Sequence, residues 1–474
     1  MNSRHWLFLF VLAFSVRLLA LGLEWSSPNY IGVGIQNAEA TRHLAQGDGY
    51  AFDRSRVAAI YEEQTERGGL TDLRHFPLSR YPERRVQPVF QYPPGYAIFL
   101  WLFGGWKTFV FARLFQVVLD SLACLWLTGL ALRMLGLRAA WVAGFVYAMW
   151  LPSAISSATA TPDAMTPFFT IGALDFFIRG INARGRRAWW FWALSGLWVG
   201  LGGYLRPTFL LLGLAMGGMG FVFSRFSWRP LVAGALVFGV TMLVLVPWAW
   251  RNHRLADRWM FTSSIGGYAF WEGLGDFPNP WGIEASDKMA QEFVEAHGYE
   301  WHSPESDRFL KSEFWKNVKA HPAAYASQVF RRCLKVVTAR SYYGFGWRVQ
   351  FDPPMPGSLR ELPGWLFHHA GSIAILVLWR GWNILELALV ALAVGGLFSG
   401  NWPGGHYFYK FKAPVFGVIV YIASLSAFIH FHPRYLVTII PCYILLGAPA
   451  GLRLYDAARE KLLSRWTPSR PEGV

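Results

Sequence analysis

Among the charged residues outside the apolar runs of this chain, three carboxylates and three arginines could do chemistry together: Glu39, Asp48, Asp163, Arg206, Arg251 and Arg434. Arginine can clamp a phosphate through paired, charge-assisted hydrogen bonds. A carboxylate can take the proton of an incoming hydroxyl. A phosphate that leaves as an anion needs cations more than it needs a general acid. Gathered at one surface, these six groups would suit transfer of a sugar from a polyprenyl-linked phosphate.

Each has a plainer reading. Glu39 lies in Ala38-Glu39-Ala40-Thr41-Arg42-His43-Leu44, a short helical pattern stopped by glycine, and can be a solvated helix-face residue. Asp48 stands between two glycines and fits a turn. Asp163 follows Thr161-Pro162, so it can simply sit in a first helical turn, where a carboxylate suits the dipole. The three arginines can be interfacial anchors. His43, His432 and the pair His368-His369 show no metal-ligand spacing. A divalent metal is compatible with the acids, but no ligand cluster demands one.

What must position these groups is a set of apolar segments. The 474 residues are 54% hydrophobic and 17% aromatic, with only 15% charged. Several runs reach the roughly 20 residues that a bilayer-spanning helix needs. The predicted fold class is therefore an all-α polytopic membrane protein. About ten spans are expected, near 5–23, 109–132, 139–153, 164–178, 188–203, 208–224, 231–250, 373–399, 413–431 and 436–452. The first run has no small-residue cleavage site and reads as a retained span. The chain then divides into a first helix (1–23), a polar loop (24–94) and a bundle (95–250). A second large loop (251–370), C-terminal helices (371–452) and a basic tail (453–474) follow. Within the second loop, 306–337 interleaves charged and apolar residues at helical spacing. It predicts amphipathic helices broken at Pro322.

Charge sets the topology. The net charge is +15. Loop 24–94 holds eight basic and nine acidic residues, a net of −1; loop 251–370 holds 14 and 13, a net of +1. The excess lies in the short connections and the C-terminus, as the positive-inside rule requires. It is not a nucleic-acid footprint. Both termini are expected in the cytoplasm, with both large loops on the other face. Cys124, Cys333 and Cys442 lie far apart and imply no disulfide framework. Arg17, Arg113, Asp120, Asp175 and Glu386 fall in or near spans, where charge is costly and usually paired; Arg17 with Asp120 is the expected structural pair. No internal repeat of the transporter kind is visible.

Several motifs resemble a known family. Arg42 to Tyr50 ends in a Gly-x-Gly-aromatic turn. Tyr92-Pro93-Pro94-Gly95-Tyr96 is a proline turn before an apolar stretch. Gly200 to Thr208 is Gly-rich and ends in Arg-Pro-Thr. Pro247-Trp248-Ala249-Trp250-Arg251-Asn252 precedes a Gly-Gly-Tyr stretch containing Tyr268, and Pro433-Arg434-Tyr435 opens the last span. In this order they resemble the bacterial members of the dolichyl-phosphate-mannose-protein mannosyltransferase superfamily, which includes the aminoarabinose transferases of lipid A.

The resemblance implies a GT-C fold with two large periplasmic loops in a bacterial inner membrane. It also implies a polyprenyl-phosphate sugar donor, a lipid, glycan or protein acceptor, and an acid in each of the first two periplasmic loops. Asp163 matches the second acid. Near the first, this chain has Gln36 and Asn37, and Glu39 is the nearest carboxylate. The expected site is Glu39 and Asp163 as catalytic acids, Arg206, Arg251 and Arg434 on the donor phosphate, and Asp48, Tyr92 and Tyr268 in the pocket. A flippase for a lipid-linked sugar would instead need polar residues across the bundle, for which Asp120, Asp175 and Glu386 are the candidates. A catalytically silent scaffold of the same fold is the third reading.

Overall fold

The computed structural model describes residues 1–23, 25, 31–57, 59–60, 86–105, 107–338, 363–365, 370–398 and 408–466; the side chains of 31–33, 370–380, 408–409 and 464–466 are outside that description. His368 and His369 also lie outside it.

The described chain is almost wholly helical. Helix α1 (Ser3–Leu23) leads to α2 (Ile31–Gln46) and a small antiparallel pair, β1 (Ala51–Asp53) and β2 (Val86–Pro88), with Phe52 opposite Gln87. Next come α3 (Gly95–Leu102), α4 (Val110–Leu135), α5 (Leu137–Met149) and α6 (Leu151–Ala158). The bundle continues with α7 (Thr166–Asn182), α8 (Arg186–Gly203), α9 (Leu212–Phe223) and α10 (Trp228–Ala256). The second loop contributes α11 (Gly266–Gly273), α12 (Asp287–Ala296), α13 (Pro304–Ala320) and α14 (Pro322–Thr338). Helices α15 (Ala370–Phe398), α16 (Ala413–Phe428) and α17 (Ile440–Trp466) close the chain.

Seven helices among the described residues are long and apolar enough to cross a membrane, or eight if the bent pair α5–α6 is one span. Their outer faces carry exposed Leu7, Leu19, Phe111, Leu243, Ile384 and Phe398. Such side chains face lipid, because a bilayer removes the cost of leaving them outside. The chain is an all-α, multi-pass membrane protein. The expected count of ten exceeds this number for a physical reason. Helix α8 starts on Arg186 and Arg187, and α9 with its leading turn spans only Pro207–Phe223.

Two devices hold the bundle together. The first is a buried ion pair. Arg17 Nε lies 2.6 Å from Asp120 Oδ2, and the Tyr147 hydroxyl donates to Asp120 Oδ1 at 2.6 Å. The remaining guanidinium hydrogens go to the carbonyls of Ala13, Ala148 and Tyr147. This is the pair expected from sequence, and it ties α1, α4 and α5 where each would otherwise leave a charge or hydroxyl in hydrocarbon.

The second is close backbone approach. A Cβ on Gly234 of α10 would come within 2.7 Å of the Gly213 carbonyl and 2.9 Å of Gly217 Cα on α9. Small residues let membrane helices touch when no hydrophobic force joins them. Gly234→Leu should therefore cost about 1–3 kcal/mol or more through overpacking. A thermal melt of the detergent-solubilised protein reads this as a lower midpoint; an unchanged midpoint contradicts the packing.

Contacts place the loops and turns at one end. The Gly95 N–H donates to the Tyr204 carbonyl, and a Cβ there would stand 2.5 Å from that oxygen, so only glycine lets the proline turn seat on the end of α8. Arg113 donates to the carbonyls of Ala158 and Trp25. Ser264 N–H donates to the Phe90 carbonyl. At the opposite end, Arg229 donates to Ala183 and Gly180, and Arg138 pairs with Asp456. Arg184, Arg186 and Arg187 open α8 at that same end.

Helices α13 and α14 are separated at His321, with Pro322 opening the second. Ser303 caps α13 by accepting from the Ser306 N–H. Leu310 and Phe314 bury against Trp271, Leu274, Ala290 and Val294, giving the second loop its own small core.

Candidate functional site

The site grows from a proline-started turn. Pro162–Met165 forms a 3-10 turn ahead of α7, and Asp163 is in it, 4% exposed. Arg206 follows α8 and opens another proline turn, Pro207–Phe209. Arg434 lies in a third, Pro433–Ile439, ahead of α17. The three turns meet. Arg206 Nη2 bonds Asp163 Oδ2, and Arg434 Nε lies 3.8 Å from the same oxygen. Both guanidiniums lie over the Tyr435 ring, at 5.6 Å and 5.4 Å from its centre. Arg206 Nε is buried and has no hydrogen-bond partner among the described residues. A buried donor without an acceptor is costly, so the site retains capacity for an anion.

Tyr92, at the end of the first loop, is in the field of both arginines and of Asp287. Burial first, then Asp287, pushes its hydroxyl up to about 12. It remains a neutral hydrogen-bonding group at ordinary pH.

Beyond Tyr435 the network continues into the second loop. His432 Nδ1 accepts from the Arg434 N–H and caps the turn; burial, then Arg434, holds its pKa below the usual value, so it stays neutral. The His430 and His432 rings are 6.4 Å apart, and His432 and Tyr435 are 5.7 Å apart. His430 Nδ1 is 2.8 Å from Asp276 Oδ1, and its Nε2 is 3.6 Å from Glu272 Oε2. Arg332, fully buried, pairs with Asp276 at 2.8 Å and donates to the Gly273 and Ala427 carbonyls. Tyr268 donates to Asp287. Burial, with Glu272 and Asp287 beside it, raises its pKa.

Burial pushes the His430 pKa down, but the Asp276 hydrogen bond and the Glu272 charge lift it to about 9. A raised histidine stabilises the fold fully below about pH 6.5, its unfolded value. That contribution is lost as pH rises through about 9. Thermal midpoints should fall across this window, by an equivalent of up to about 3 kcal/mol. His430→Asn should flatten the fall. A midpoint that rises with pH contradicts the coupling.

The other expected residues are placed differently. Glu39 is fully buried on α2, with Arg42 at 3.0 Å, Arg56 at 3.2 Å and His43 at 3.3 Å. Burial favours its neutral form, but hydrogen bonds from His43 and Arg42 outweigh that and hold it at about 2. Such a carboxylate is a weak base at neutral pH. Asp48 sits between Gly47 and Gly49, both at positive φ, and its carboxylate lies 3.0 Å from His43 Nδ1. It is the turn residue of the plainer reading, joined to the Glu39 cluster.

Arg251 donates to the carbonyls of Val89 and Tyr50 and to Asn252 Oδ1, and lies 4.8 Å from the Trp248 ring centre. It braces the first loop on α10, and among the described contacts none joins it to Asp163. Gln36, where the resemblance leads one to look for an acid, meets Gln91 at 3.4 Å, next to Tyr92.

Five members of the network were not foreseen from sequence: Glu272, Asp276, Asp287, Arg332 and His430. Among them, His430 carried a signal, a polar side chain inside the apolar run 413–431. The in-span acids Asp120 and Asp175 are paired within the described bundle. Asp120 is closed by Arg17 and Tyr147; Asp175 is closed by Arg133, Arg179 and Trp126. Among the described residues, no group of three or more His, Cys, Asp or Glu side chains is placed to hold a metal.

No family model and no curated protein matches the chain. Among solved structures, it is similar to the archaeal oligosaccharyltransferase AglB from Archaeoglobus fulgidus, in complex with an inhibitory peptide and a dolichol-phosphate. The identity is 13% and the TM-score 0.49, over 100% of this chain and 53% of that one. An Archaeoglobus fulgidus oligosaccharyltransferase in complex with Zn and sulfate matches at 17% identity and a TM-score of 0.30, over 76% of this chain and 44% of that one. The chain thus spans about half the length of these structures. Likeness at this level does not assign an activity.

Proposed function

We propose that this protein is a membrane glycosyltransferase of the GT-C type, moving one sugar from a polyprenyl-phosphate donor to an acceptor hydroxyl. The observation that carries the reading is Arg206. Its buried Nε lacks an acceptor among the described residues, while Asp163 and Tyr435 fix the rest of its guanidinium beside Arg434. A phosphate supplies the missing acceptor and takes charge from both arginines.

In this reading the acceptor oxygen attacks the anomeric carbon in a single inverting displacement. The polyprenyl phosphate leaves with the bonding electrons, and Arg206 and Arg434 meet the growing charge. Asp163 is a positioning group that aims the two guanidiniums. Tyr92 and Tyr268 flank the sugar. Arg251, Glu39 and Asp48 brace the described parts of the first loop. The site faces away from the end bearing Arg138, Arg184, Arg186 and Arg187, so it opens on the non-cytoplasmic side of the membrane. The acceptor class, whether lipid, glycan or protein, is set by the two large loops.

The test is a turnover assay. Purified protein in nanodiscs is offered synthetic polyprenyl-phosphate sugars, and release of free polyprenyl phosphate is followed. Release with at least one donor is expected. Intact donor that moves between leaflets without cleavage would establish the flippase reading instead.

A further inference from the structure

The two carboxylates expected to be catalytic are both bonded by guanidinium groups: Glu39 by Arg42 and Arg56, and Asp163 by Arg206, with Arg434 beside it. The displacement still needs somewhere to put the acceptor's proton. The second loop supplies it. Glu272 lies on α11, one helical turn after Tyr268, and is the carboxylate between Tyr268 and His430.

Resting on the function proposed above, we infer that Glu272 is the catalytic base, taking the acceptor hydroxyl's proton, and that the His430–Asp276–Arg332 chain positions it.

Three observations support this. First, neighbourhood: Glu272 lies 3.6 Å from His430, whose ring centre is 6.4 Å from that of His432, which is in turn 5.7 Å from the Tyr435 ring beneath Arg206 and Arg434. Second, rigidity: Asp276 is gripped by Arg332, His430 and the Phe431 N–H, so the imidazole cannot swing away from Glu272. Third, basicity: burial raises the Glu272 pKa, with Asp287 and Asp276 adding to the rise, while His430 and the Tyr268 hydroxyl oppose it. Its proton affinity is therefore above that of an ordinary carboxylate, where Glu39 lies well below. A base works best when its pKa approaches the working pH. No guanidinium bonds Glu272 among the described contacts.

The step balances. The acceptor oxygen forms its bond to the anomeric carbon as the carbon–phosphate oxygen bond breaks. The electron pair leaves on the polyprenyl phosphate. The hydroxyl proton passes to a Glu272 carboxylate oxygen and then to water. No oxidant, reductant or further reactant is needed.

The experiment compares wild type, Glu272→Gln, Glu272→Asp and His430→Gln as full chains in nanodiscs with a polyprenyl-phosphate sugar donor. Glu272→Gln should lose about 10²–10⁴-fold in transfer rate, with donor affinity within about twofold. Glu272→Asp should recover part of the rate. His430→Gln should shift the acid limb of the pH profile, which a purely structural role leaves in place. Transfer by Glu272→Gln within a few-fold of wild type overturns the assignment while leaving the transferase reading intact. Equal loss of donor binding and rate, with a lowered thermal midpoint, also overturns it, in favour of a scaffold role. A wild type that cleaves no donor overturns the function and the base together.

Discussion

Arg206→Gln is expected to lower sugar transfer at least about 100-fold, the cost of losing one preorganised donor to a developing oxyanion. That factor corresponds to about 2.7 kcal/mol of transition-state stabilisation. The expectation follows from geometry. Arg206 is 14% exposed at its side chain, bonded to Asp163, positioned over the Tyr435 ring, and holds a buried Nε without an acceptor among the described residues. Glutamine keeps a polar tip but removes the charge and the fork. Arg206→Lys keeps the charge and loses the paired geometry, so it should recover little of the rate. The loss should appear in the rate at saturating donor more than in donor affinity, because the phosphate gains charge as it leaves. Rates within threefold of wild type in both variants contradict the phosphate role. A melting curve unchanged from wild type guards against simple misfolding.

The largest expected effect on stability lies at the other level of the bundle. Asp120→Ala strands a fully buried Arg17 guanidinium and the Tyr147 hydroxyl without their shared acceptor. Breaking one side of a buried pair typically costs about 3–5 kcal/mol. The variant should accumulate poorly in membranes and melt well below wild type. Arg17→Met with Asp120→Leu should restore part of the loss, because it removes the uncompensated buried charge while the Tyr147 hydroxyl still lacks its acceptor. A single variant as stable as wild type, or a double variant worse than the single, contradicts the pairing. Transfer by the rescued double variant should be near normal, since the pair lies among the spans and not among the turns that carry Asp163.

These two positions mark what could be read from the chain. Arg17 and Asp120 were legible because charge inside an apolar run has few ways to survive, and each was the other's natural partner. The break at Pro322 was legible for a similar local reason: proline lacks the N–H that a helix interior uses. Asp163 in a proline-started turn was local too. The partners of Glu39 were not. Arg42 lies one turn away, but Arg56 arrives from beyond β1, and the resulting cage changes Glu39 from a candidate base into a carboxylate held at about 2. Arg251 looked like a phosphate ligand because its charge was visible, while the Val89 and Tyr50 carbonyls that occupy it were not.

The second-loop network was hidden for the same reason. Glu272, Asp276, Arg332 and His430 are distant in sequence and meet only when α11 and α14 seat on the end of α16. The expected count of ten goes beyond the seven or eight helices that meet a spanning length and apolarity among the described residues. Helices α8 and α9 are shorter or more basic at their ends than the helices that meet a spanning length.

Cryo-electron microscopy of the protein in nanodiscs with a polyprenyl phosphate is the most direct test of the central claim. The account predicts phosphate density within hydrogen-bond reach, about 2.7–3.2 Å, of both the Arg206 and Arg434 guanidiniums, with the lipid tail leaving into the bilayer. Phosphate density at the opposite end, among Arg184, Arg186 and Arg229, with the Asp163 turn vacant, would contradict it.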